Sequence, residues 1–171
     1  MNLNEELYRI KSMMGVQNPL FIMENFSVTT FLKNLFKSSE EKRVEETQKI
    51  VNLISKYVLK THPLDDVAKF VVSQVTQREF FPNDSDQKKM VLKVNFFPVF
   101  KNRNVDEFKF KKQFEDYKNE FYRISRIMGF YENSPIDSKG FDEVYMRFNI
   151  QTPALYHRFL TLDGWVDPNQ N

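Results

Sequence analysis

The sequence predicts an α+β fold: five or six helices packed on a small two- or three-stranded sheet, with an N-terminal helical arm. Three observations carry this. Apolar residues recur at steps of three and four along most of the chain, which is the spacing of one helix face. Only two stretches alternate apolar and polar residues in the manner of half-buried strands. Eighteen Phe, four Gly and no Cys among 171 residues point to an aromatic core built without disulfides.

Residues 1–26 read as a helical arm and hinge, and residues 27–171 as a single α+β domain. In the arm, Leu3, Leu7, Ile10 and Met14 share one stripe, Gly15 suits the position after the last turn, and "VQNPL" breaks the pattern. Ser27 caps a short helix whose apolar face is Phe31, Leu32, Leu35 and Phe36. Ser38 and Glu41 have capping-box spacing. Val44, Thr47, Val51, Ile54 and Val58 then predict a helix over 39–60. Pro63 suits the first position of a following helix, with Leu64, Val67, Val71 and Val75 as its face and an end near residue 78. The bend between the two makes a helical hairpin.

"KMVLKVNFF" alternates, with Met90, Leu92, Val94 and Phe96 on one face and Lys93 and Asn95 on the other. Pro98 stops this strand or places it at an edge. Phe110, Phe114, Tyr117, Phe121, Ile124 and Met128 form the face of a long helix that Gly129 closes. "VYMRFNI" is the second strand, with Val144, Met146, Phe148 and Ile150 inward. If it pairs with the first directly across the long helix, the two are parallel. Thr152 and Pro153 then open a final helix.

Composition narrows function. The net charge of +2 gives no strong global field, and no apolar run approaches a membrane span. Without Cys there are no thiolate metal sites or Cys nucleophiles. His62 and His157 are the two histidines, and His62 has Asp65 and Asp66 nearby, but no spacing matches a ligand motif. The stretch at 83–86 lacks the glycine and distal Glu of a calcium loop. There is no glycine-rich phosphate loop and no GxSxG. The reading is therefore non-enzymatic, with no metal and no cofactor. An enzyme would need a site assembled from carboxylates distant in sequence.

Two binding candidates remain. Residues 88–126 hold eleven Lys or Arg against five Asp or Glu, interleaved with Phe96, Phe97, Phe100, Phe108 and Phe110. Cations beside aromatic faces suit single-stranded nucleic acid. The candidates are Lys88, Lys89, Lys93, Lys101, Arg103, Lys109, Lys111 and Lys112; the plain alternative makes the Phe residues core and the Lys residues its wet side. The second candidate is the arm. Its phrase recurs 114 positions downstream, where Glu6, Tyr8, Arg9, Ile10, Met14 and Gly15 return as Glu120, Tyr122, Arg123, Ile124, Met128 and Gly129. Convergence of two capped amphipathic helices accounts for the apolar matches. A shared recognition role would also account for the Tyr and Arg.

The opening "NEELYRIKSMMGV", with Glu24–Asn25 about ten residues on, resembles the N-terminal leaders of many tailed-phage proteins of Bacteroidota. Ile22, Met23 and Glu24 also resemble the aliphatic-x-Glu pattern cut by prohead proteases in packaged head proteins. The resemblance covers about one-seventh of the chain. It implies a small phage protein, virion-associated or packaged, found in the virion or host cytoplasm and acting by helix-mediated assembly with a protein partner or a second copy. Leu3, Leu7, Tyr8, Arg9, Ile10 and Met14 would then be the docking residues, and Ile22–Glu24 the processing site.

Overall fold

The computed structural model describes residues 5, 31, 34, 35, 37–80, 89–130, 144–152, 155 and 157–170. In chain order they form α1 (Glu40–Thr61), β1 (Val67–Phe80), β2 (Lys89–Phe100), α2 (Glu107–Ile127), β3 (Val144–Ile150), β4 (Phe159–Thr161) and β5 (Gly164–Val166). The strands make one mixed five-stranded sheet. β2 is its centre: β1 pairs antiparallel on one side, and β3 and β4 pair parallel on the other. β5 closes a hairpin with β4.

The expectation of five or six helices on a two- or three-stranded sheet is overturned. Among the described residues there are two helices traced end to end, and the sheet is the larger component. The helix expected over 64–78 is strand β1. Its inward residues are Val67, Phe70, Val72 and Val75, spaced three, two and three. Two β-bulges cause this, because the register with β2 slips between Val67 and Lys69 and again between Val72 and Gln74. Each bulge adds a residue and stretches the local period toward that of a helix. The helical hairpin is therefore a helix followed by a strand. Of the expected final helix, the described residues Leu155 and His157 are turns, and the chain then enters β4.

The capping box expected at Ser38 and Glu41 does not form: Ser39 caps α1, its hydroxyl accepting from the Lys42 amide, while Ser38 Oγ donates to Asn34 O. The long helical stripes do hold. Thr47, Val51, Ile54 and Val58 are all buried. In α2, Phe110, Phe114, Tyr117, Phe121 and Ile124 are buried on one stripe. Gly129, at φ 94°, ends α2: its amide donates to Arg126 O and the Phe130 amide to Ser125 O. This is the paired-bond glycine stop, with Phe130 folding back as a buried residue. β2 and β3 pair in parallel. Of the helix expected after Ser27, Phe31, Asn34 and Leu35 are described as helical, and Leu35 is buried.

Pro98 does not stop β2. It faces Phe70 of β1 within the central strand. Phe96 O accepts from Gln151 N, and Phe100 O from Leu162 N. Alternate residues of a strand present their backbone to the same side. The missing Pro98 N–H therefore aims between the end of β3 and the start of β4, where no ladder bond is interrupted.

The core is an aromatic lattice between the sheet and the two helices. Tyr117 stacks on Phe70 at 5.0 Å, Phe96 meets Phe121 at 5.1 Å, and Phe100 meets Phe110 edge-on at 5.0 Å. Phe148 packs edge-on to Phe121 and Phe130. A buried polar tie through this layer is Tyr117 Oη donating to Ser55 Oγ at 2.9 Å. Burial raises the Tyr117 phenol pKa above its ordinary value, a shift that the Ser55 bond partly opposes.

β1 is an edge strand, and α1 closes part of its edge. The Gln48 side chain donates to Phe70 O at 3.0 Å and accepts from Val72 N at 2.8 Å, while also donating to Asn52 Oδ1. One carboxamide thus satisfies the two backbone groups that a further strand would take.

Two measurements test these ties. Ser55→Ala strands a buried phenol and is expected to cost about 1–3 kcal/mol in urea unfolding. Tyr117→Phe should cost less, since the freed Ser55 hydroxyl can turn to a helix carbonyl. Gln48→Ala is expected to cost about 1–2 kcal/mol for two lost hydrogen bonds. It should also raise hydrogen exchange at the Val72 amide above that of neighbouring β1 amides.

Candidate nucleic-acid interface

The alternation of β2 sends Leu92, Val94, Phe96 and Phe100 into the core and turns Val91, Lys93, Asn95 and Phe97 to the opposite side of the sheet, where Val99 at the strand's end is buried. The register then lines up their neighbours. Val71, Gln74, Thr76 and Arg78 of β1 lie beside Phe97, Asn95, Lys93 and Val91. Arg147 and Asn149 of β3 lie beside Lys93 and Asn95. These residues are half-buried or exposed, and the two helices lie on the other side.

Three rows result, about 6.7 Å apart along β2. The first is aromatic: Phe97 sits 6.1 Å from Trp165, and the Arg158 guanidinium lies 5.4 Å from the Trp165 ring centre. Trp165 is 59% exposed. The second row is amide: Asn149 Nδ2 donates to Asn95 Oδ1 at 2.9 Å, and Asn95 Nδ2 to Gln74 Oε1 at 3.4 Å. The third is cationic, with Thr76, Lys93 and Arg147 in register. None of the outward positions Val71, Gln74, Thr76, Arg78, Val91, Lys93, Asn95, Phe97, Arg147, Asn149, Leu160 and Trp165 is a carboxylate.

The fold divides the basic residues expected to act together. Lys93 is on the open face. Lys109 and Lys111 are on α2, across the core, and both are paired. Lys109 Nζ lies 2.6 Å from Asp65 Oδ2, and Lys111 Nζ 2.6 Å from Glu107 Oε1. The hydrogen bond from Lys109, then that from Gln113, lowers the Asp65 pKa below its ordinary value. Lys101 Nζ donates to Asp65 O at 2.6 Å. Lys112 is exposed on α2. Arg103 borders a cavity of about 260 Å³ that Asp163, Trp165 and Asp167 also line. Lys88 and the Lys89 side chain lie outside the described residues. Phe96, Phe100 and Phe110 are core and Phe108 is exposed, so of the interleaved aromatics only Phe97 joins the open face.

Several residues of this face escaped the sequence reading: Gln74, Arg147, Asn149, Arg158 and Trp165. A signal existed. "LKVNF" in β2 and "MRFNI" in β3 share the order apolar, cation, apolar, Asn, apolar, which aligns cation with cation and Asn with Asn when the strands pair in parallel.

The arm residues Leu3, Leu7, Tyr8, Arg9, Ile10 and Met14, and the processing residues Ile22, Met23 and Glu24, lie outside the described residues, as does the stretch at 83–86. The downstream copy of the arm phrase is described. Glu120 and Arg123 form a two-bond ion pair at 2.8 Å, and the Ile150 amide donates to the Tyr122 hydroxyl at 3.4 Å. The off-stripe Tyr and Arg of that copy thus have local roles. His62 Nδ1 lies 2.9 Å from Thr61 Oγ1, and Asp65 is held by Lys109 and Gln113. Among the described residues no three His, Asp or Glu groups gather as a metal site. No described helix is long and apolar enough to cross a membrane.

No family model, curated protein or solved structure matches this chain.

Proposed function

We propose that this is a non-enzymatic binding protein whose open sheet face takes a single strand of nucleic acid. The observation that carries the reading is the juxtaposition of the Phe97–Trp165 aromatics, the amide row and the Lys93–Arg147 pair on a face whose described outward strand positions hold no carboxylate. Exposed aromatics accept bases by stacking, cations neutralise phosphates, and amides bond base edges. The occupant follows from charge. Lys93 and Arg147 are neighbours in the strand register, so a phosphate backbone running along this face would meet both. An acidic protein partner would supply the charge without using the stacking surface.

Trp165 is the single tryptophan, so its fluorescence reports on the site directly. Short single-stranded RNA or DNA should quench it at low salt. Trp165→Ala is expected to weaken binding by about 1–3 kcal/mol, the worth of one stacked base. Lys93→Gln and Arg147→Gln should each lower the slope of log affinity against log salt by about 0.7. Lys109→Ala and Lys111→Ala should leave affinity unchanged, because those cations are paired and on the other side. Absence of binding at low salt, or equal effects of Lys109→Ala and Lys93→Gln, would overturn the reading.

A second reading keeps the protein as a virion-associated or packaged phage component assembled through its N-terminal helix. It is supported by the leader-like opening and the Ile22–Met23–Glu24 pattern. Mass spectrometry of purified particles tests it: the chain should be present, and a new terminus at Asn25 would mark cleavage. The two readings are compatible, since a packaged protein meets nucleic acid.

A further inference from the structure

We infer that the amide row Gln74–Asn95–Asn149 reads bases and favours adenine, an inference that rests on the open face binding a single strand. The row lies one residue pair along from the aromatic row and crosses three strands, about 10 Å in all. It could have served only to tie the strands together, but its polarity says more. Each bond runs the same way: Asn149 donates to Asn95, and Asn95 donates to Gln74.

The carbonyl oxygens of Asn95 and Gln74 are therefore occupied. That of Asn149 stands at the head of the chain with no donor among the described residues. Each amide nitrogen carries two hydrogens, and each link uses one, so Asn149 keeps a second N–H beside its open oxygen. A lone carboxamide can turn over to suit any base. Turning Asn149 over alone would break the 2.9 Å bond to Asn95, so its acceptor is held while the row keeps this polarity. Lys93 and Arg147, in the neighbouring row, add only donors.

With this polarity the row offers one acceptor next to a donor. A base that fits carries an exocyclic amine beside a ring acceptor. Adenine does, through N6 with N7 or N1, and a carboxamide meets that edge with two hydrogen bonds. Cytosine has the same pair through N4 and N3, but gives the aromatic row a smaller ring. Uracil and thymine have no amine for the Asn149 oxygen.

The test compares the full chain binding to labelled oligomers of adenine, of uracil, and of purine lacking the 6-amino group. The last stacks as adenine does, so it separates edge reading from stacking without altering the protein. The expected result is adenine binding about tenfold tighter than both others. Asn149→Leu should bring adenine down to their level with an unchanged salt slope, while Trp165→Ala weakens all three alike. Equal affinity of the wild-type chain for adenine and amine-free purine overturns base reading and leaves the platform standing. Failure to bind any oligomer overturns the platform itself.

Discussion

The period of two along β2 is the constraint on which the rest of the molecule depends. β2 touches three other strands, so its alternation is imposed on all of them. Its inward residues, Leu92, Val94, Phe96 and Phe100, supply the inner surface on which the aromatic stripe of α2 packs. Full burial of a Phe is worth about 1.5–3 kcal/mol, and a one-residue slip would exchange the faces of the whole strand. The register is therefore fixed by core burial. The side of the sheet that carries Lys93 and Asn95 inherits its order from a requirement it does not itself enforce. A polar surface with no packing of its own is ordered to the precision of a hydrophobic core.

The helices were legible because their stripes are long and their stops are chemically marked. α2 repeats a buried aromatic or aliphatic residue from Phe110 to Ile124 and ends on a glycine whose positive φ few other residues tolerate. β1 was not legible by period, because two bulges moved its inward residues from a spacing of two to one of three, two and three. Its composition held the better clue: Val67, Val71, Val72, Val75 and Thr76 are β-branched and suit a pleated surface more than a helix. β4 and β5 have three residues each, too few for any period to register. Once β1 is a strand and the terminal hairpin is counted, the sheet becomes the larger component of the described residues.

The candidate site was legible only in part, for a related reason. A run of basic residues in sequence is one-dimensional, while a sheet face collects every second residue from separate strands. Lys93 was found because it lies in the run. Arg147 and Asn149 lie outside it and reach the face through the parallel pairing of β3. Gln74 reaches it only because a bulge shifts β1 by one residue. Trp165 arrives on a hairpin that periodicity does not see. The recurring Glu-x-x-Arg of the arm phrase has a plain local meaning in its downstream copy, where Glu120 and Arg123 are neighbours on one helix turn. The same three-residue spacing separates Glu6 and Arg9 in the sequence.

Gln48 has a consequence for behaviour in a crowded solution. An open strand edge is a template: a second chain can dock there and present a fresh edge in turn, which is how ordered aggregates grow. Here the template is blocked by a side chain from a helix, so protection of the edge depends on α1 staying docked. A partly unfolded form that keeps the sheet but releases α1 would expose Phe70 and Val72 together with their backbone groups. Resistance to self-templated growth is thus coupled to the docking of a helix that lies outside the sheet altogether.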